Sequence, residues 1–456
     1  MTDSHQTAAQ TNGADLSAVA QTNGTGRSSA ADTSADKVPD RIVLTDEQAF
    51  SLIRKYGSPL YLYDEQVLRK HCREIRGLLP RHRYTPSYST KANSNLELLR
   101  IIREEGFHVD AMSAGEIVLE EAAGFQPSEI FMVTNNISDE EMRFAIDRGI
   151  LMSADSLEQL DRYGRLNAGG EAAVRLNPGI GTGHSDKVIT GGSCKFGIEY
   201  SKIPQIREIA ARHRLRIVGL NQHVGSLFLD GTVFLASCDR LLQAALTDFP
   251  GLRFLDFGGG FGVPYHGEHR LDLARLSAGL EKRLDAFLQA YDNPDIAFYT
   301  EAGRYPVAEC GMLLGTVTCR KEVCGIRYVG TDLGFNTLIR PVLYQAYHEL
   351  TVYPQNNAAF SVPSSEAAGK PVQVVGNICE SGDILAKDRL LPPVGYGDLI
   401  GVQNAGAYGY SMASNYNSRL RPAEVLLCAD GSTCLIRRRD TFEDLLRQFD
   451  TGEIRI

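Results

Sequence analysis

No apolar run in the sequence approaches the roughly 18 residues of a membrane-spanning helix. The N-terminus lacks the basic-then-apolar order of a signal peptide, so the expectation is a cytoplasmic protein. No block of lysines and arginines and no aromatic-basic stripe is present to grip nucleic acid. The net charge is −9, as expected of a solvated acidic surface. There is no CxxC pair and no cluster of histidines near a cysteine. The nine cysteines are an odd number, scattered, which argues against a disulfide framework and against a structural zinc site; no metal is expected. Most of them are expected to be small core residues.

Large apolar side chains are almost missing from residues 1–40, where Ala9-Gln10-Thr11-Asn12-Gly13 recurs as Ala20-Gln21-Thr22-Asn23-Gly24. Such a segment cannot offset the entropy of ordering itself and is read as a disordered tail. The other residues, within a chain of 456 with 43% hydrophobic content, suffice for two folded domains.

A strand is read at Arg41–Thr45 and a helix at Asp46–Tyr56; residues 41–58 are expected to join a C-terminal β domain. Over residues 59–305 short apolar strands alternate with amphipathic helices. The strands are placed at Arg83–Ser89, Phe107–Met112, Ile130–Val133, Leu151–Ala154, Ala172–Leu176, Ile217–His223, Phe254–Phe257 and Ala297–Thr300. Eight such units close a (β/α)8 TIM-like barrel, whose chemistry sits where the strands end. From 306 to 456 the alternation stops. Short strands are read at Val307–Cys319, Arg327–Gly330, Val372–Val375, Asp398–Val402, Glu424–Cys428 and Thr433–Arg437, with an exposed loop over Tyr353–Lys370. The fold class is therefore α/β, a barrel with a C-terminal all-β domain.

Polar residues gather at the predicted strand ends. Lys91 follows strand one in Tyr88-Ser89-Thr90-Lys91-Ala92-Asn93, His223 and Ser226 follow strand six, Gly258-Gly259-Gly260 ends strand seven, and Glu301 to Arg304 ends strand eight. The loops after strands seven and eight are the usual phosphate site of a barrel, and glycines let backbone N–H groups approach a phosphate. Taken singly, Lys91 reads as a solvated charge, His223 as a satisfied core histidine and Glu301 as a surface carboxylate. Together, a lysine for a Schiff base, a phosphate cradle, an imidazole for a ring and a carboxylate for a pyridine nitrogen suit pyridoxal 5′-phosphate.

These motifs, with Gln222-His223-Val224-Gly225-Ser226, Glu301-Ala302-Gly303-Arg304, Arg340-Pro341-Val342-Leu343-Tyr344, Cys379-Glu380-Ser381-Gly382-Asp383 and Ala405-Gly406-Ala407-Tyr408, stand in a family's order. From about Ser58 to Arg438 the chain resembles the fold-type III pyridoxal-phosphate decarboxylases, and within them the diaminopimelate decarboxylases. The resemblance implies a β domain like that of alanine racemase, and Lys91 and Cys379 as catalytic residues. It implies a cofactor site of Lys91, His223, Ser226, Gly259, Gly260, Glu301, Gly303, Arg304 and Tyr408. Substrate would be held by Arg304, Arg340, Tyr344, Glu380 and Tyr408, with Cys379 and Glu380 reaching in from a second subunit of a homodimer. The implied reaction is decarboxylation of meso-2,6-diaminopimelate to L-lysine.

Three departures from the family pattern touch the cofactor loop and its surroundings: Leu227 after Ser226, Ala302 in place of proline, and Asn377 before Ile378-Cys379-Glu380. They keep D-lysine, D-ornithine and carboxyspermidine decarboxylases of the same fold as alternatives. A racemase is disfavoured because Glu301, not an arginine, stands at the ring nitrogen. A non-catalytic binding protein would be expected to lose Lys91 or Cys379.

Overall fold

The computed structural model describes residues 38–183, 185–355 and 370–449. The expected disorder of residues 1–40 lies outside the described residues except at its last three positions, and most of the expected Tyr353–Lys370 loop lies outside them too.

Arg41–Thr45 is not a strand. Thr45 instead caps the helix Asp46–Tyr56, accepting from the Gln48 N–H while the Gln48 side chain returns to the Thr45 N–H. Ile42 is buried and packs with Leu60, Leu62, Met312 and Val425. The strand that enters the second sheet lies further on, at Leu60–Asp64 (β1). Its first four residues are all buried, so the period-two alternation that marks a half-exposed strand is absent.

The barrel strands are Tyr84–Ser89 (β2), His108–Ala111 (β3), Ile130–Val133 (β4), Leu151–Ala154 (β5), Glu171–Asn177 (β6), Arg216–Asn221 (β7), Phe254–Gly259 (β8) and Ala297–Glu301 (β9). Each pairs in parallel with the next, and β9 pairs with β2, which closes the ring. Both faces of such a sheet are covered, which is why its strands read as short apolar runs. Asn95, Ser113, Ser138 and Ser156 cap the helices after β2, β3, β4 and β5, each side chain accepting a backbone N–H. These caps fix the turns at the carboxyl ends of the strands.

The second sheet contains β1, Gly311–Val323 (β10), Ile326–Thr331 (β11), Leu350–Tyr353 (β12), Val372–Val375 (β13), Ile384–Arg389 (β14), Leu399–Val402 (β15), Ala423–Leu427 (β16) and Thr433–Arg437 (β17). Its order is β14-β13-β11-β10-β1-β16-β17, with β15 on β10 and β12 on β15. β10 starts at Gly311 because Arg304–Val307 turns as a short helix. Strands β12 and β14 were not foreseen; both are short and only partly buried.

One buried carboxyl joins the two sheets. Glu424 on β16 accepts from the Tyr63 hydroxyl of β1 at 2.7 Å and from Asn95 Nδ2 at 2.9 Å, and forms an ion pair with Arg437. Asn95 caps the helix that follows Lys91, so the joint sits one short segment from the candidate catalytic lysine. The expectation for the cysteines needs correcting: Cys72, Cys238 and Cys310 are buried, whereas Cys319, Cys324, Cys379 and Cys434 are exposed, on the hairpins and turns of the second sheet or beside them.

Candidate active site

Lys91 sits in the single turn Thr90–Ala92 that follows β2. The turn is clamped from the second sheet: the Ala92 carbonyl accepts from the Tyr408 N–H at 2.8 Å and from Ser411 Oγ at 3.1 Å, and Asn93 Nδ2 donates to the Gly406 carbonyl at 3.0 Å. The Tyr88 hydroxyl holds the Asn93 carbonyl from below at 2.9 Å. The amine itself is lightly held, with Met112 Sδ 3.9 Å from Nζ. Burial works against its charge, but Tyr408, Asp110 and Glu301 outweigh burial and raise its pKa above the ordinary lysine value.

Three carboxyls are buried in the barrel, Asp110 and Glu301 towards the carboxyl ends of β3 and β9 and Asp256 in the middle of β8. All three cannot be ionised together. Burial and the neighbouring Glu301 push Asp110 up to about 8 and Asp256 well above the carboxylate range. For Glu301 burial is outweighed by the His223 ring, Lys91 and Arg175, which bring its pKa down to about 2. Glu301 is thus the ionised member. Its Oε1 receives Asn221 Nδ2 at 3.4 Å, and Asn221 Oδ1 in turn accepts from Ser153 Oγ at 2.6 Å. His223 Nδ1 accepts the Gly259 N–H at 3.1 Å and lies 3.3 Å from Glu301 Oε2. Burial lowers the pKa of this imidazole, so the carboxyl carries the charge of the pair and the ring is neutral.

The glycines at the mouth are required by close backbone approach. A Cβ on Gly259 would stand 1.6 Å from the Glu301 carbonyl oxygen, and Gly260 has φ +105° with the Gly225 carbonyl 2.5 Å from where its Cβ would be. At Gly303 a Cβ would press on Ser89 and on the Tyr408 hydroxyl, at 3.1 and 3.2 Å. Tyr408 and Leu227 both hold positive φ, 56° and 66°, beside this loop. For a branched residue such as Leu227 that conformation is strained.

Two buried arginines flank one aromatic ring. Arg304 Nη1 donates to the Tyr265 hydroxyl at 3.0 Å and Nη2 to Ser226 Oγ at 2.9 Å, while the Arg340 guanidinium lies 4.8 Å from the Tyr265 ring centroid. Arg304 also lies 4.9 Å from the Tyr408 ring. Among the described residues neither guanidinium forms an ion pair, and the Nε atom of each is buried without a hydrogen-bond partner. Tyr344 ends the short helix that begins at Arg340.

Cys379 and Glu380 lie apart from this cluster, exposed on the turn between β13 and β14. The turn is shaped by Asp383, which accepts the N–H groups of Phe335 and Ile378 at 2.7 and 2.8 Å. The Cys379 N–H donates to Asn417 Oδ1 at 2.8 Å, and Glu380 accepts from the Tyr416 hydroxyl at 2.7 Å. Sequence reasoning thus named both the mouth residues and this turn, but passed over Asp110, Asn221, Asp256, Tyr265 and His348. Tyr265 had a signal, closing the Gly-rich run after β8; the others are single polar residues in apolar strands or loops.

The chain is similar to known proteins over most of its length. The model of the pyridoxal-dependent decarboxylases, pyridoxal binding domain, matches residues 65–308. The chain is 38% identical over 415 residues to a diaminopimelate decarboxylase of Methanothermobacter thermautotrophicus, covering 89% of this chain and 95% of that protein. It is 33% identical over 417 residues to a diaminopimelate decarboxylase of Escherichia coli K12, covering 88% and 96%. A crystal structure of diaminopimelate decarboxylase from Helicobacter pylori complexed with L-lysine superposes with a TM-score of 0.77 at 30% identity, covering 87% of this chain and 98% of that one.

Proposed function

Because the chain belongs to the pyridoxal-dependent decarboxylase family, we propose that its barrel mouth decarboxylates meso-2,6-diaminopimelate to L-lysine and carbon dioxide. The residues present fit pyridoxal phosphate on their chemistry: a raised-pKa lysine held only by a long thioether contact, an ionised carboxyl beside it, a neutral imidazole, and glycines where no Cβ fits. When bound, pyridoxal phosphate supplies an electron sink for the carbanion left by loss of carbon dioxide.

Lys91 Nζ would hold the cofactor, His223 lie against its ring, and Glu301 keep a pyridine nitrogen protonated. Ser226, Gly259, Gly260, Gly303, Arg304 and Tyr408 would surround its phosphate. Cys379 Sγ would deliver the proton that replaces the lost carboxyl group, and Glu380 would face the distal amine. Both stand on an exposed turn, which supports their supply by a second copy of the chain in a homodimer. A cytoplasmic location fits the absence, among the described residues, of any helix long and apolar enough to cross a membrane. Rather than starting at 59, the cofactor domain is placed at residues 65–305 and the β domain at 306–456 together with β1, which is an internal strand of its sheet, and the helix before β1.

The observation that carries the substrate is the pair Arg304 and Arg340. Two buried guanidinium groups that meet no carboxylate among the described residues call for an anion, and meso-diaminopimelate brings a distal carboxylate that D-lysine and D-ornithine lack. Leaving a charged pair unmade costs about 2–5 kcal/mol, which corresponds to a preference of about thirtyfold to several thousandfold in kcat/KM. Product identification and kinetics with the three amino acids test it. Turnover of D-lysine or D-ornithine matching that of diaminopimelate would overturn the assignment.

A further inference from the structure

Arginines elsewhere in the protein are mostly steadied by carboxylates, as Arg270 is by Glu309 and Arg437 by Glu424. Arg340 is steadied differently. Its Nη1 lies 2.8 Å from Nε2 of His348, and Nδ1 of His348 lies 2.8 Å from the carbonyl oxygen of Gln403, just past β15. A carbonyl can only accept, so Nδ1 carries the proton; a guanidinium can only donate, so Nε2 is bare. One tautomer satisfies both contacts, and it is the neutral one. Arg340 and His348 are each about 1% exposed, so water cannot stand in for either contact. The Tyr265 ring completes the frame, edge-on to His348 at 5.4 Å between centroids and under Arg340.

We infer that His348 is a positioning and specificity residue: an uncharged acceptor that aims Arg340 without cancelling its charge, leaving that charge for the distal carboxylate of the substrate. A glutamate in its place would hold the guanidinium as firmly but would neutralise it, and the attraction for an anionic substrate group would fall. The difference between the two acceptors is charge rather than contact. Buried beside Arg340, the imidazole has no tendency to take up a second proton, since its bare nitrogen faces a cation and Arg389 and Arg304 add to the positive field. This inference rests on the substrate reading above.

The test uses the purified holoenzyme and three variants, His348→Gln, His348→Glu and His348→Leu, with kcat and KM for meso-diaminopimelate and D-lysine, the visible absorbance of the bound cofactor, and the melting temperature. The cofactor band is expected to stay in all three, because His348 is not among the residues around Lys91. His348→Gln supplies a neutral oxygen acceptor and is expected to keep KM within about threefold of the parent. His348→Glu is expected to raise KM for diaminopimelate at least about tenfold with kcat within about threefold, and to shrink the preference over D-lysine by the same factor. A purely structural role would instead move the melting temperature and leave substrate preference alone. Should His348→Glu fail to fold, His348→Leu carries the same test through loss of the acceptor. Unchanged preference in the folded variant would overturn the inference while leaving the substrate assignment standing. A parent enzyme without preference for diaminopimelate would overturn the assignment first.

Discussion

The barrel mouth and the Cys379 turn carry the two halves of the proposed chemistry, and they are built in opposite ways. At the mouth the charged groups Glu301, Arg304 and Arg340 are buried, Lys91, His223 and Tyr408 are half-buried, and they are tied to one another and to neighbours across the fold: Lys91 through Ala92 to Tyr408, Glu301 to Asn221 and His223, Arg340 to His348. At the turn the groups are exposed, held by Asp383 within the turn and by Tyr416 and Asn417 from the loop before β16. A buried charged cluster needs its neighbours in place to exist at all. The exposed turn is held by a few side-chain hydrogen bonds and leaves its functional groups in solvent. The contrast teaches that one chain completes the electrostatics of the mouth but presents the proposed proton donor outward.

The largest effect should come from the centre of the mouth. Lys91→Ala is expected to abolish the absorbance band of the bound cofactor and to reduce turnover at least about a thousandfold; a variant that keeps the parent band would show that another lysine does this work. Cys379→Ser should separate the two regions, losing about 10²–10⁴ in kcat with the cofactor band intact. Mixed with Lys91→Ala under proven subunit exchange, it should regain about a quarter of the parental sites, since half of the dimers become hybrids with one intact site each. No recovery would mean that each chain builds its own site.

A glycine pair sharpens the comparison at the level of packing. Gly259→Ala forces Cβ onto the Glu301 carbonyl and should cost about 1–3 kcal/mol, read as a melting temperature lower by several degrees. Gly382→Ala, in the turn where nothing lies within 4 Å of an added Cβ, should leave it unchanged. Equal effects would erase the difference in construction between the two regions.

The smallest expected effect concerns pH. Burial pushes Glu120 up to about 8, though Thr90 Oγ1 donates to it at 2.6 Å, and Asp110 is raised to a similar value. Both are neutral in the folded protein over a range where the unfolded chain is ionised. Their contribution to stability is whole below about pH 4 and is lost as pH rises towards and through about 8. Glu120→Gln should therefore flatten the fall in melting temperature between pH 5.5 and 8. An unaltered slope would show that Glu120 is already ionised in the folded state.

Much of the barrel was legible because its strands are short, mostly apolar runs, five of them followed by helices that open on a capping side chain, and because lysine, histidine, glycine and glutamate recur at the strand ends. β1 was missed for a physical reason: Leu60 to Tyr63 is buried on both faces and shows no alternation, while Arg41–Thr45 imitates a strand but spends Thr45 on a helix cap. Asn221, Asp256 and His348 were invisible because a lone polar residue in an apolar context acquires a role only from what folding brings beside it. The turn showed the reverse limit. Its motif was legible, but nothing in a string of residues says that Cys379 faces outward.

Glu424 sets a limit on how this molecule can move. Swinging the second sheet away from the barrel would strip the carboxyl of Asn95, because Tyr63 and Arg437 lie on β1 and β17 of that same sheet and would move with it. A hydrogen bond to a charged group is worth about 1.5–3 kcal/mol, so an open form separated at this joint is disfavoured by about one such bond, and the helix that follows Lys91 stays tethered by its first turn to the second sheet.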